Sequence, residues 1–308
     1  MLINHIDYGS IVKRSKDLAI MADQNLGIVS DEDRFQFETQ GFLVLRNVLG
    51  ADMRAVILAR LDELETREFD KGHVTHFSMD NPTEARPQPT PGFSMESTTK
   101  SRVDDHYLRM NGLPNLDPIF DRMIDHPRVL PYLQEFIAQP QLSFSWYIAK
   151  GLGPRFSRWH SIDPIYYRYR DGLIRSRMVN TAWFLTDNGP EDGCLLVVPG
   201  SHKRNKKLDF SAHTGLQLPG SIRVTGKAGD VVLFSECTLH TGDEKISSGV
   251  RRNLYYVFAD ADHCRLQQHP RILRHAWFAP HIRGRFNETQ RELTEWMRFV
   301  VCNAEVGQ

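Results

Sequence analysis

Two histidines stand where this chain could hold a metal ion. His160 lies in Arg158-Trp159-His160-Ser161-Ile162-Asp163-Pro164, with a carboxylate three residues downstream. His240 follows the apolar run Gly229-Asp230-Val231-Val232-Leu233-Phe234 and precedes a turn at Thr241-Gly242. Eleven residues beyond it, Arg251 opens Arg251-Arg252-Asn253-Leu254-Tyr255-Tyr256-Val257. Two imidazoles and one carboxylate on neighbouring strands suit a facial iron(II) site that leaves coordination positions open for substrates. An arginine close to the second imidazole could clamp a dicarboxylate, because its planar fork matches a carboxylate bidentately. The chain has 13 histidines, and a His near a strand end is more often structural. The weight therefore rests on the order His with Asp, distant His, trailing Arg.

The elements that must position these residues change character along the 308-residue chain. Up to about residue 140 the pattern is mostly helical. Ser30-Asp31-Glu32-Asp33 reads as an N-cap and first turn, and Gly41 ends that helix before the β-prone run 42–49. Met53, Val56, Ile57, Leu61 and Leu64 recur at helical spacing over 52–69, and a second helical stretch is expected over 116–137, interrupted near Pro127. Residues 78–100 hold Pro82, Pro87, Pro89 and Pro91 without periodicity and read as a lid or binding loop. After Pro140, short β-branched and aromatic runs at 142–149, 178–186, 194–198, 221–225, 230–234 and 253–259 predict a β sandwich or barrel. Helix returns over 287–301, where Phe286, Trp296 and Phe299 read as a packing face. The expected organisation of 1–308 is one domain: a helical layer with a lid loop (1–140), a β core (141–262) and a C-terminal extension (263–308).

Composition narrows the function class. The hydrophobic share of 41% and charged share of 25% are ordinary for a globular chain, which argues against wholesale disorder. Lys+Arg and Asp+Glu are balanced at 38 each, so no charge footprint for nucleic acid or an anionic membrane is expected. No apolar run reaches the length of a membrane span, and the N-terminus lacks the pattern of a secretory signal. The four cysteines form no CxxC pair, which fits a reducing cytoplasm.

Taken in order, the motifs resemble the phytanoyl-CoA dioxygenase family of iron(II)- and 2-oxoglutarate-dependent oxygenases, with local likeness to ectoine hydroxylase around His160. Phe37 with Gly41-Phe42-Leu43-Val44-Leu45-Arg46-Asn47-Val48-Leu49 is similar to the family's opening motif. Thr186-Asp187-Asn188-Gly189-Pro190-Glu191-Asp192-Gly193-Cys194-Leu195 leads into Val198-Pro199-Gly200-Ser201-His202, similar to its turn and PGSH segment. Gly229 to Gly242, then Arg251 and Asn253, resembles its C-terminal iron and co-substrate motif. The resemblance implies a mainly β, double-stranded β-helix (jelly-roll, cupin-like) core with an N-terminal helical layer and a C-terminal helix. It implies Fe(II), 2-oxoglutarate and O2 as cofactor and co-substrates, His160 and His240 as iron ligands, and Arg251 on the far carboxylate of 2-oxoglutarate. A hydroxylase acting on a small, polar or anionic molecule is expected.

The sequence departs from the family at one point. The family places its carboxylate two residues after the first His, where this chain has Ile162, and Asp163 comes one later. On a regular strand i and i+2 share a face while i+3 points away. Asp163 is expected as the third metal ligand through an early strand exit, which Pro164 favours. Two alternatives stay open: a halogenase-like site lacking the carboxylate, and a metal-free binding or non-oxidative protein. Both imidazoles must be neutral to bind a metal, so activity is expected to fall below about pH 6. Lys150 could reach a carboxylate of the co-substrate, although a solvated turn lysine is the plainer reading. Tyr166-Tyr167-Arg168-Tyr169-Arg170 could present cations and phenols to an anionic substrate, or lie solvated. Trp159 and Trp183 read as core, His202 as structural, and the His73/His76 pair as incidental.

Overall fold

Strands whose alternate residues are apolar form the central layer of the protein. The computed structural model describes residues 28–70, 74–76, 94–97, 107–153, 158–163, 166–170, 173–205, 218–266, 278 and 280–296. Helix α1 (Asp31–Gln40) starts at Ser30, whose hydroxyl accepts from Asp33 N, and stops at Gly41 in the left-handed conformation (φ 82°). Strand β1 (Phe42–Leu45) follows, then α2 (Ala51–Asp70), β2 (Val74–His76), β3 (Ser94–Ser97) and β4 (Tyr107–Asn111). The helical stretch expected over 116–137 is interrupted around Pro127, as expected, and is shorter than drawn: α3 (Leu113–Leu116), a 3-10 turn over Pro118–Met123, and α4 (Leu130–Phe136). Pro118 and Pro131 sit at helix starts, where a missing N–H costs nothing, and so restart the chain rather than continue it.

The β core comprises β5 (Pro140–Lys150), β6 (Tyr167–Arg170), β7 (Leu173–Ser176), β8 (Met178–Phe184), β9 (Leu195–Val197), β10 (Ile222–Val224), β11 (Val231–Ser235), β12 (His240–Gly242) and β13 (Arg251–Asp260). Helices α5 (Ala261–Leu266), α6 (Pro280–Gly284) and α7 (Glu288–Glu292) close the described chain, and the end of the helix expected over 287–301 lies outside it. Eight strands form one sheet in the order β1-β11-β8-β13-β5-β4-β3-β2. A second sheet, β10-β9-β12, faces it, and β6-β7 is a separate ribbon. Pairing is antiparallel except β2 with β3. This is the expected mainly β jelly roll, with one correction. Four of the eight large-sheet strands come from the N-terminal region read as mostly helical, and Ser94–Ser97 belongs to the sheet rather than to a lid loop. The rest of 78–93 and 98–100 lies outside the described residues, as does His73.

Both faces of the large sheet are covered, which is why β8 is buried at every position. One face packs Leu108, Met110, Val179, Trp183, Leu233, Leu254 and Tyr256 against Ile57, Leu61 and Leu64 of α2. Each of those three helix side chains stabilises the fold by roughly 1.5–3 kcal/mol. The other face packs Phe42, Ala182, Phe184, Val232 and Phe234 against Val197 and Val224 of the small sheet. Along β4, β5 and β13 that inner face turns polar: Tyr107, Arg109, Trp146, Lys150, Arg251 and Tyr255 all line a cavity of about 190 Å³. Antiparallel register sets Arg251 beside Lys150 and Lys150 beside Tyr107 in one row.

Candidate metal and co-substrate site

His160 and His240 meet across an isolated antiparallel bridge. His160 N donates to His240 O (3.1 Å) and His240 N donates to His160 O (3.0 Å). Their ring centroids are 4.2 Å apart, and both rings line the cavity. His160 Nδ1 lies 2.7 Å from Arg158 O, and His240 Nδ1 lies 2.8 Å from Thr238 O. A carbonyl accepts only, so each ring carries its proton on Nδ1 and presents the Nε2 lone pair, the arrangement a metal-binding imidazole needs. Burial, then the neighbouring His160, pushes the His240 pKa down to about 3. His240 is therefore neutral well below the pH at which an unperturbed imidazole charges.

The turn that delivers His240 is held from several sides. Thr238 Oγ1 donates to Gly41 O (3.1 Å), and Ser201 Oγ accepts from Leu239 N (2.8 Å). Arg204 donates from Nη1 to Cys237 O (2.7 Å) and from Nη2 to Ser161 Oγ (2.6 Å), joining the segments that carry the two imidazoles. A Cβ at Gly41 would stand 2.4 Å from both His202 Nδ1 and Thr238 Oγ1, so only glycine lets α1 end against this turn. His202 is structural, as expected: it is buried, and its Nε2 sits 3.0 Å from Glu38 O.

The cations expected for the co-substrate share the cavity with the imidazoles. Arg251 and Lys150 are 6% and 5% exposed, which rules out a solvated turn for Lys150. Lys150 Nζ donates to Asp243 O at 2.7 Å, and burial, then Arg251, lowers its pKa to about 7. Arg251 Nη1 donates to Gly193 O, while its buried Nε has no hydrogen-bond partner among the described residues. An orphaned guanidinium donor beside a second buried cation fits a bound carboxylate. Asn253 is tied to the Thr186–Asn188 turn through a reciprocal amide pair with Asn188 (2.8 and 3.1 Å).

Asp163 is not brought to the imidazole pair. It lines a neighbouring pocket with Tyr167, Arg168, His202 and Arg204, where its charge acts on the Arg204 guanidinium. After the isolated bridge at His160 the chain leaves regular strand geometry, and Ile162 packs on the main core. Tyr167 and Arg168 line that same neighbouring pocket, so these two members of the Tyr166–Arg170 run are not at the candidate site.

Tyr107, Arg109, Asn180 and Tyr255 line the cavity and were not anticipated as site residues from sequence. Arg109 stands 4.8 Å from the centroid of the Trp146 ring, and Tyr255 stacks on Trp146 at 5.4 Å. Asn180 lines the cavity with a buried Oδ1 that has no hydrogen-bond partner among the described residues. The alternation in Tyr107-Leu108-Arg109-Met110-Asn111 was the available signal for a strand with a polar inner face. Trp159 and Trp183 are core, as read. The imidazole lone pairs, the orphaned Arg251 donor and the buried lysine together suit iron(II) with a chelating dicarboxylate.

Comparison with known proteins places the chain in a family. The sequence pattern of the family described as phytanoyl-CoA dioxygenase (PhyH) matches residues 37–253. An ectoine dioxygenase of Bordetella parapertussis is 25% identical over 277 residues, covering 82% of each chain. HygX from Streptomyces hygroscopicus, solved with nickel, 2-oxoglutarate and hygromycin B bound, superposes with a TM-score of 0.56 at 23% identity, covering 76% of this chain and 88% of that one. EctD from S. alaskensis with bound Fe gives a TM-score of 0.53 at 20% identity, covering 78% and 80%. Among the described residues no helix is long and apolar enough to cross a membrane. The match over most of the chain, on the fold these structures share, makes this protein a member of the phytanoyl-CoA dioxygenase family of non-haem iron(II)- and 2-oxoglutarate-dependent dioxygenases.

Proposed function

We propose that this dioxygenase hydroxylates a small polar or anionic molecule, consuming 2-oxoglutarate and O2 and releasing succinate and CO2. One oxygen atom enters the substrate C–H bond and the other enters succinate. The observation that carries the reading is the meeting of His160 and His240, 4.2 Å between ring centroids, in a cavity that Arg251 and Lys150 also line.

His160 and His240 would hold iron(II) through Nε2, with the backbone carbonyls at Nδ1 fixing the orientation of each ring. Iron with 2-oxoglutarate and O2 supplies the oxidising chemistry, and the protein positions the target carbon and excludes water. Arg251 would pair with the far carboxylate of 2-oxoglutarate, with Lys150 adding a second positive charge in its row. Arg109, over the Trp146 ring and hydrogen bonded to Asn111 Oδ1 (2.8 Å), would meet a polar or anionic group of the substrate.

Aerobic incubation with Fe(II), 2-oxoglutarate and a panel of small polar and anionic molecules tests this. The expected result is substrate-dependent succinate release with a product one oxygen atom heavier, abolished in His240→Ala. A chlorinated product, or one lighter by two hydrogen atoms, would replace hydroxylation by halogenation or desaturation at the same site. Succinate release undiminished in His240→Ala would remove the assignment altogether.

A further inference from the structure

Close to His240 stands a carboxylate that the fold buries without a cation. Glu236 is the first residue after β11. Its N–H donates to Met178 O (3.0 Å) and its carbonyl accepts from Ile162 N (2.8 Å), so its backbone is pinned between β8 and the segment that follows His160. Its side chain is 13% exposed, and Oε1 accepts from Asn180 Nδ2 at 2.8 Å. The second oxygen, Oε2, lies 3.8 Å from His240 Nε2. Among the described residues no lysine or arginine pairs with it.

That short approach sets two lone-pair donors face to face. His240 carries its proton on Nδ1, toward Thr238 O, so Nε2 has none to offer. A carboxylate oxygen opposite a bare imidazole nitrogen is unfavourable in a buried site unless a proton or a cation lies between them. Oxygen and nitrogen donors sit about 2.1 Å from a divalent transition metal, so two cis donors on one ion are roughly 3 Å apart. The observed 3.8 Å is within about 1 Å of that spacing. Among the described residues no three His, Cys, Asp or Glu side chains form a finished ligand cluster, so Glu236 must close in by a small side-chain shift.

We propose that Glu236, rather than Asp163, is the carboxylate ligand that completes the His160–His240 iron(II) site, oriented by the hydrogen bond from Asn180. The inference rests on the reading that the imidazole pair holds iron(II). It replaces the spacing His-x-x-Asp by a carboxylate four residues before the second imidazole, on the same turn. The displacement of Asp163 toward Arg204 and of Ile162 into the core then costs the site nothing, because its negative charge arrives from the turn after β11. Asn180 acts on the metal through Glu236 and is a positioning residue.

The test is anaerobic Fe(II) titration calorimetry, with the visible absorption of the Co(II)-loaded protein as a second readout. Glu236→Gln keeps the size of the side chain and its acceptor for Asn180, and should weaken Fe(II) binding by at least about 100-fold, more than loss of an outer-shell partner usually costs. The Co(II) spectrum should change with it. Glu236→Asp, which retains a shorter carboxylate, should bind better than Glu236→Gln. Asp163→Asn should stay within about threefold of the parent, because its charge faces Arg204. Metal loss in Asp163→Asn with wild-type affinity in Glu236→Gln would overturn the inference and leave the imidazole pair intact. Wild-type affinity in His240→Ala would instead remove the iron site on which both stand. Thermal melting of the metal-free variants separates misfolding from ligand loss, and a misfolded Glu236→Gln leaves the decision to Glu236→Asp against Asp163→Asn.

Discussion

His160 and His240 are 80 residues apart in sequence, yet each accepts the other's backbone N–H, at 3.1 and 3.0 Å. The bridge fixes the spacing of the two rings before any ligand arrives. Preorganisation of this kind lowers the ordering cost of binding a metal. On the proposed assignment, replacing either ring by alanine should lower Fe(II) affinity by about 100-fold or more, because it would remove a ligand and leave the bridge. Titration of the metal-free variants with Fe(II), alongside unchanged thermal melting, checks this.

Arg251 and Lys150 differ in what their loss should do. Arg251→Met removes a buried, charged donor fork and should raise the KM for 2-oxoglutarate by about 10- to 100-fold, matching roughly 1.5–3 kcal/mol for hydrogen bonds to charged groups. The Fe(II) affinity of that variant should be unchanged.

Lys150 should add a pH dependence. Its folded pKa is lowered to about 7 by burial and by Arg251. Between about 7 and the ordinary lysine range near 10.4, the unfolded chain binds a proton that the folded chain does not, so this residue makes the metal-free protein more stable as pH rises through that window. A bound dicarboxylate favours the charged lysine, so 2-oxoglutarate affinity should fall as pH rises through about 7, with proton uptake on binding above it. Calorimetry in buffers of different ionisation enthalpy reads that proton. Lys150→Met should abolish both the uptake and the slope.

Arg204 joins the two histidine-bearing segments without lining their cavity. Arg204→Met releases Cys237 O, Ser201 O and Ser161 Oγ together. Stability should drop by about 3 kcal/mol, read from the denaturant midpoint. Fe(II) affinity should fall by about tenfold, since outer-shell support is typically worth that much. Arg204→Lys, which cannot make the same fork, should recover stability better than metal affinity.

Gly41→Ala should destabilise the fold by about 2–4 kcal/mol, since it combines a left-handed backbone with a Cβ placed against His202 and Thr238. Because Thr238 precedes His240 by two residues, the variant should also bind Fe(II) more weakly than its residual stability alone explains. Equilibrium unfolding and metal titration on the same preparation separate the two effects.

Much of this was legible from the chain alone, where the evidence is local. The β-branched runs at 142–149, 178–186, 230–234 and 253–259 alternate or bury fully, and each became a strand of the large sheet. His240 and Arg251 sit just outside or at the head of such runs, so their common end of the barrel follows from chain order. The interruption expected near Pro127 falls between Met123 and Leu130, and Pro118 and Pro131 mark the starts of the two helical pieces, because a helix start tolerates proline where an interior does not. Strand β4 stayed hidden, since five residues of alternating pattern are too few to separate from a helical background.

What tertiary structure decided was which side chains share a cavity. Arg109 becomes a cavity residue only once β4 pairs with β5. Asp163 lies three residues from His160 but turns toward Arg204, while Glu236 reaches His240 because the turn after β11 folds back across the bridge. Sequence determined the residue types, the strand periods and the order of the imidazoles and the arginine, all set by contacts within a few residues. The placement of Glu236 beside His240 was set by long-range hydrogen bonds, from Glu236 to Met178 and from Ile162 to Glu236 among them, and local spacing carries no record of those.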